Sequence, residues 1–142
     1  MTAAVAFDDV EVGTELPAQS FPLTRAALVR YAGASGDFNV IHWNERVART
    51  VGLPDVIAHG MLTMAEAARV VTDWVADPGA LVELGVRFTR PVPVPDDDVG
   101  ATLEVSGRVV ELLENRRAKV ELTATCGGDK VLGMARAVVQ LA

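Results

Sequence analysis

Cysteine is almost missing from this chain, aromatic residues are scarce, and no run of Lys or Arg occurs in it. The single cysteine, Cys126, cannot close an internal disulfide, which suits a reducing compartment and leads to the expectation of a cytoplasmic protein. It stands in a strand-like stretch before Gly127-Gly128 with no CxxC around it, and reads as a structural, half-buried thiol. Without clustered cations, and with a net charge of −6 and pI near 4.8, a nucleic-acid backbone is not an expected partner. No stretch reaches the roughly 18 apolar residues that a spanning helix needs, so no membrane partner is expected either. The opening MTAAVAFDDVEVG lacks a basic region and meets acid within ten positions, unlike a signal peptide. Aromatics make up 5%, but hydrophobic residues, mostly Val, Ala and Leu, make up 50% of 142 residues. That is the composition and length of one packed domain, expected over residues 1–142.

The punctuation separates two halves of different character. Thr24 caps an expected helix running to about Ser35, with Ala27, Leu28, Tyr31 and Ala32 on its apolar face. A short helix over about 44–51 ends at Gly52, with Pro54 just beyond. From about Met61 to Val75 the charged residues form one stripe, Glu66, Arg69 and Asp73, and most other positions are apolar. Such a helix is expected to be wrapped on most sides. After it come Pro91-Val-Pro-Val-Pro95 and three aspartates, read as a stiff turn region, and then strands.

Val82, Leu84, Val86 and Phe88 alternate with Glu83, Gly85 and Arg87, and similar alternation recurs around Leu103–Val105 and Val120–Ala124. The register shifts near Val109-Val110. Residues 131–141 are apolar on both parities, as in an interior strand. Glu114-Asn115 and Gly127-Gly128-Asp129 read as hairpin turns, and 15–23 as a first strand. The expected architecture is α+β, a curled antiparallel sheet around one long helix in a hot-dog shape.

Two short stretches carry polar groups that packing does not require. In Gly36-Asp37-Phe38-Asn39-Val40-Ile41-His42, an Asp, an Asn and a His are interleaved with apolar anchors. An Asp beside a His favours the charged imidazole, while burial favours the neutral carboxyl, and the pair is then poised to pass protons. The same residues also make an ordinary turn-forming loop. Two histidines without a cysteine cluster are a poor metal ligand set. In Ala58-His59-Gly60-Met61, a helix start offers unpaired N–H groups, and Gly60 lets a carbonyl approach them. A tight turn with His59 bonded to backbone is the alternative there.

Tyr31-x-x-x-Ser35-Gly-Asp-Phe-Asn-x-Ile-His42, with Ala48 six residues on, resembles the motif of the MaoC-like, (R)-specific enoyl-thioester hydratases. Ala-His-Gly-Met resembles their second motif. PLTRAALVRYAGASGD, IAHGMLTM and VRFTRPVPVP look most like the catalytic beta-subunit branch of the mycobacterial-type (3R)-hydroxyacyl-ACP dehydratases. The resemblance implies interconversion of a trans-2-enoyl thioester plus water with a (3R)-3-hydroxyacyl thioester, without a cofactor. It implies that Asp37 and His42 hold the water or 3-hydroxyl and move both protons. Asn39 would orient the carboxylate or the substrate, and the Gly60 N–H would polarise the thioester carbonyl. The carrier would be CoA or an acyl carrier protein, and the working unit a homodimer or a heterodimer with a second hot-dog subunit.

Two departures stand out. Val40 replaces the family's usual proline, which would loosen the loop, and Ala68 stands where some relatives have a helix serine. An acyl thioesterase and a non-catalytic acyl-binding subunit are the competing readings of the same fold. Either carrier is anionic, so a net-negative protein needs local cations to meet it. Arg87 with Arg90, or Arg116 and Arg117 with Lys119, are the candidates.

Overall fold

A computed structural model describes residues 5–142; residues 1–4, the start of the stretch read above for a signal peptide, lie outside it. The first strand, β1 (Glu15–Leu23), leads into α1 (Arg25–Ser35), whose start is capped by Thr24 accepting from the Ala27 N–H at 3.2 Å. Leu28 and Ala32 are buried on its inner side. A 3-10 turn at Val40–His42 and α2 (Glu45–Thr50) follow, and Asn44 caps α2 through the Val47 N–H. The central helix is α3 (Gly60–Val75).

The remaining strands are β2 (Leu81–Phe88), β3 (Ala101–Leu113), β4 (Arg117–Cys126), the short β5 (Asp129–Lys130) and β6 (Leu132–Gln140). They form an antiparallel sheet in the order β1-β3-β4-β6-β2, with β5 beside β4. As its double-parity apolar pattern predicts, β6 is an interior strand, paired to β4 on one side and β2 on the other. The β3–β4 register shifts between Val109 and Glu111, where the alternation breaks in the sequence. The sheet curls so that α3 touches β1, β2, β3, β4 and β6, which is the expected hot-dog arrangement.

Helix α3 is wrapped on most sides, as expected: Thr63, Ala67, Val70, Val71 and Val75 are buried, Leu62 and Trp74 pack half-buried against the core, and Met61, Ala65, Arg69 and Asp73 form one exposed stripe. Two expectations need correction. Strand β2 does not turn a clean apolar face inward, because it is an edge strand on which Val82 and Phe88 are exposed. Finally, the proline-rich stretch is mostly not a turn. Val92 and Val94 are buried, and this strap pairs with the segment before α3 through Ala58 N–H to Val92 O and Val94 N–H to Val56 O, both 2.9 Å. The turn comes later, where Asp97 Oδ1 accepts from the N–H groups of Val99 and Gly100.

Burial of each fully covered Val or Leu is worth about 1.5–3 kcal/mol, so the Val70–Val71 face of α3 holds the helix to the sheet. The N-terminal segment is tied in by Arg25, which donates to the Val94 carbonyl at 2.6 Å and pairs with Asp55 at 2.5 Å. Gly100 closes the return to β3 at φ +70°, with the place of a Cβ only 2.2 Å from the Leu23 carbonyl oxygen. Gly100→Ala is therefore expected to cost about 2–4 kcal/mol of stability, measured by urea unfolding.

Candidate active site

The loop between α1 and α2 is held by its own polar side chains. Asp37 Oδ1 accepts from the Asn39 N–H at 3.1 Å, Asn39 Oδ1 accepts from the Ile41 N–H at 3.3 Å, and Trp43 Nε1–H donates to the Phe38 carbonyl at 3.0 Å. Val40 is the first residue of the 3-10 turn, the place where proline would also fit. These bonds keep the turn without it, so the expected loosening at Val40 has three restraints against it. The side-chain oxygen of Asn39 is spent on its own turn, and its backbone N–H is what orients the Asp37 carboxylate.

The 3-10 turn carries His42 inward. Its Nδ1 lies 2.7 Å from the Ile57 carbonyl, which can only accept, so Nδ1 holds the proton. Nε2 then presents a lone pair to Asp37 Oδ2, 3.9 Å away. An oxygen about 2.8 Å from each of these atoms fits between them, so a water or hydroxyl can bridge the pair. The imidazole is buried and the carboxylate is 51% exposed, so the deep burial expected for Asp37 is not met within this chain.

Sequence reasoning left His59 outside the site, and the structure brings it in. It is 1% exposed, and its Nε2–H donates to the backbone carbonyl of Asp37 at 3.1 Å. Its ring stacks on His42 with centroids 3.8 Å apart and planes 22° apart, and meets Tyr31 edge-on at 4.7 Å. Among the described residues Nδ1 has no hydrogen-bond partner, a burden of about 1–3 kcal/mol. Burial holds the His59 pKa below its ordinary value, and nearby His42 adds to the effect, against the opposing pull of the Asp37 carbonyl and charge. The sequence signal was present: a His adjoining a helix-opening Gly, one helical turn before a buried Thr63.

Asp37, His42 and His59 have ligand atoms within 4.8 Å of one another, so a metal has to be considered. An ion bound to both imidazoles must lie near both ring planes, about 2.0–2.1 Å from each nitrogen. Stacked rings only 22° apart direct their lone pairs side by side rather than to one point, and His59 Nε2 is already committed. The cluster does not fit a metal.

His42 and Gly60 line one cleft of about 290 Å³ with Thr63, Phe88, Arg90 and Val92. Among the described residues the Gly60 N–H has no protein acceptor, and it opens α3 at the positive end of the helix. Gly60 also leaves room for Phe88: a Cβ there would sit 3.0 Å from the ring. Of the two basic clusters, Arg90 lines this cleft. Arg116, Arg117 and Lys119 lie at the other end of the sheet, paired with Asp8, Gln140 and Glu111.

A carboxylate and an imidazole thus face each other beside an open helix N-terminus on a hot-dog scaffold. The MaoC like domain matches residues 9–126. A 3-hydroxyacyl-thioester dehydratase X of Mycobacterium tuberculosis is 43% identical over 79 residues, 56% of this chain but 27% of that protein. An (R)-specific enoyl-CoA hydratase of Rhodospirillum rubrum is 33% identical over 127 residues, 89% of this chain and 85% of its own. Among solved structures, a MaoC-like dehydratase superposes with TM-score 0.94 at 43% identity, over 99% of this chain and 43% of that one. The chain belongs to the MaoC-like dehydratase family; it spans less than half of two of these three relatives.

The neutral, buried His59 has a consequence for stability. A histidine whose folded pKa lies below the unfolded 6.5 binds more protons when unfolded. Its contribution is thus complete above that pH and lost as pH falls below it. The melting temperature should drop on acidification below 6.5, and His59→Gln, which does not titrate, should remove part of that drop in a pH series of thermal melts.

Proposed function

We propose that this chain catalyses the reversible syn hydration of a trans-2-enoyl thioester to the (3R)-3-hydroxyacyl thioester, as a hydro-lyase. The observation that carries the reading is the Asp37 carboxylate facing His42 Nε2 at 3.9 Å, next to a cleft into which the α3 N-terminus opens. In the dehydration direction, the thioester carbonyl accepts from the Gly60 N–H, so the electrons of the breaking alpha C–H bond gather on an oxygen held by a hydrogen bond. The C3–O bond then breaks, and the departing hydroxyl leaves as water. Asp37 and His42 between them take the alpha proton and supply the hydroxyl's proton; in hydration the same steps run backwards. Asn39 supports this by its N–H bond to the Asp37 carboxylate. The chemistry calls for an acid, a base and an oxyanion donor, and for no cofactor.

The substrate is an acyl-CoA or acyl-carrier-protein thioester in fatty-acid or related acyl-chain metabolism. Arg90, exposed at the cleft and 3.5 Å from Asp129, is the cation placed to meet the carrier's phosphates. The chain acts as one hot-dog unit over residues 1–142 and works with a second, identical or different. The edge strand β2, with Val82 and Phe88 exposed, is the side on which such a partner would sit.

Loss of enoyl absorbance from crotonyl-CoA and a longer enoyl-CoA, with thiol release followed in parallel, tests the reaction. Asp37→Asn and His42→Ala should each lower hydration by about 10²–10⁴-fold. Thiol release without hydration would instead indicate a thioesterase, and activity restored only by a second subunit would indicate an obligate pair. Arg90→Glu should raise KM for the CoA substrate about fivefold, near 1 kcal/mol of binding, whereas Arg116→Glu should leave it unchanged.

A further inference from the structure

His59 is a puzzle if its role is packing. A fold that only needed volume beneath His42 would place an apolar side chain there, because burying a ring nitrogen with no partner is destabilising. Yet His59 is 1% exposed, its Nδ1 is unpartnered among the described residues, and it does not line the cleft. What it does touch are the two groups of the acid–base pair, and it touches each through a different part of the ring. The Nε2–H donates to the backbone carbonyl of Asp37, 22 residues away in sequence, and so pins the loop that carries the carboxylate. The ring face lies parallel to His42 at 3.8 Å and limits that imidazole's tilt about its Nδ1 bond to Ile57. Tyr31, edge-on at 4.7 Å, holds the His59 ring in turn. Protonation of His59 would set a cation against the one that His42 becomes when it takes a proton; burial keeps His59 neutral and avoids that conflict.

We propose that His59 is a positioning residue: as a neutral, Nε2-protonated ring it holds the Asp37 backbone and stacks on His42, keeping the two proton-carrying groups face to face. This rests on the hydratase reading above for its kinetic consequences, but not for its chemical premise. The chain has two histidines, so ¹⁵N spectra of the labelled protein resolve both rings without ambiguity. At neutral pH His59 should be uncharged with its proton on Nε2, and His42 should carry its proton on Nδ1 when neutral. A charged His59, or one protonated on Nδ1, would overturn the proposal whatever the enzyme does.

Kinetics then separate positioning from packing. His59→Phe keeps the stacked ring but loses the donor, and His59→Gln keeps a donor at the Nε2 place. A misplacement of about 1 Å costs on the order of 10²-fold, so Phe should lower kcat for crotonyl-CoA hydration by about 10–10²-fold with KM nearly unchanged. Gln should recover most of that loss. The melting temperature of the Phe variant at neutral pH should stay close to the wild type, since relief of the unpaired Nδ1 offsets loss of the bond to the Asp37 carbonyl. Wild-type kcat in the Phe variant, a change confined to KM, a melting temperature that falls in step with kcat, or Gln no better than Phe would each sink the idea. Should the Phe variant not fold, the comparison runs between Gln and Asn, whose amide stops one bond short of the Asp37 carbonyl; equal kcat for the two would be the negative result. A wild-type protein that hydrates no enoyl thioester would defeat the functional reading alone, and the spectra would still decide the state of His59.

Discussion

Helix α3 lies with Val70, Val71 and Val75 against the concave side of an antiparallel sheet, and that burial sets where its first turn emerges. The segment before it is clamped to the strap of Val92 and Val94, so residues 56–58 enter the helix as a short, paired strand. Three groups depend on that clamp. The Ile57 carbonyl orients His42, His59 sits under both members of the pair, and the Gly60 N–H opens into the cleft. The Gly60 N–H is unpaired among the described residues and faces the cleft, where a carbonyl oxygen can accept from it.

The two imidazoles differ in their surroundings. Each spends one nitrogen on a backbone carbonyl, and each must therefore donate from it. For His42 the remaining nitrogen points toward Asp37, and for His59 it has no hydrogen-bond partner among the described residues. Two stacked rings of one residue type thus have opposite characters, one able to exchange a proton beside a carboxylate and one kept neutral by desolvation. The same stacking is what rules the cluster out as a metal site.

Charge and surface then bear on what reaches the cleft. The net −6 of the chain would oppose the anionic carrier of the proposed reaction at long range, so its recognition would have to be local. Arg90 is on the cleft, whereas the Arg116–Arg117–Lys119 group is occupied by ion pairs and amide contacts at the far end of the sheet. Phe88, exposed on β2, lines the same cleft.

Element types were legible in the sequence because they follow from local rules. The Thr24 cap, the break of alternation at Val109-Val110 and the double-parity apolar run of β6 each depend on neighbours a few residues away, and the structure repeats them. The helix opening at Gly60 was legible for the same reason, whereas Asp37 and His42, whose spacing also suits an ordinary turn, stood out only through the motif they resemble. What the sequence could not determine is whatever depends on distant partners. Which face of α3 the sheet covers, the pairing of the proline-rich strap with residues 56–58, and the edge position of β2 follow from the curl of the whole sheet. So does the place of His59, whose partners Asp37 and His42 lie 22 and 17 positions upstream. Sequence alone supplied the chemical groups of the site; only the tertiary structure, by bringing two loops together over one helix end, decided which of them face each other.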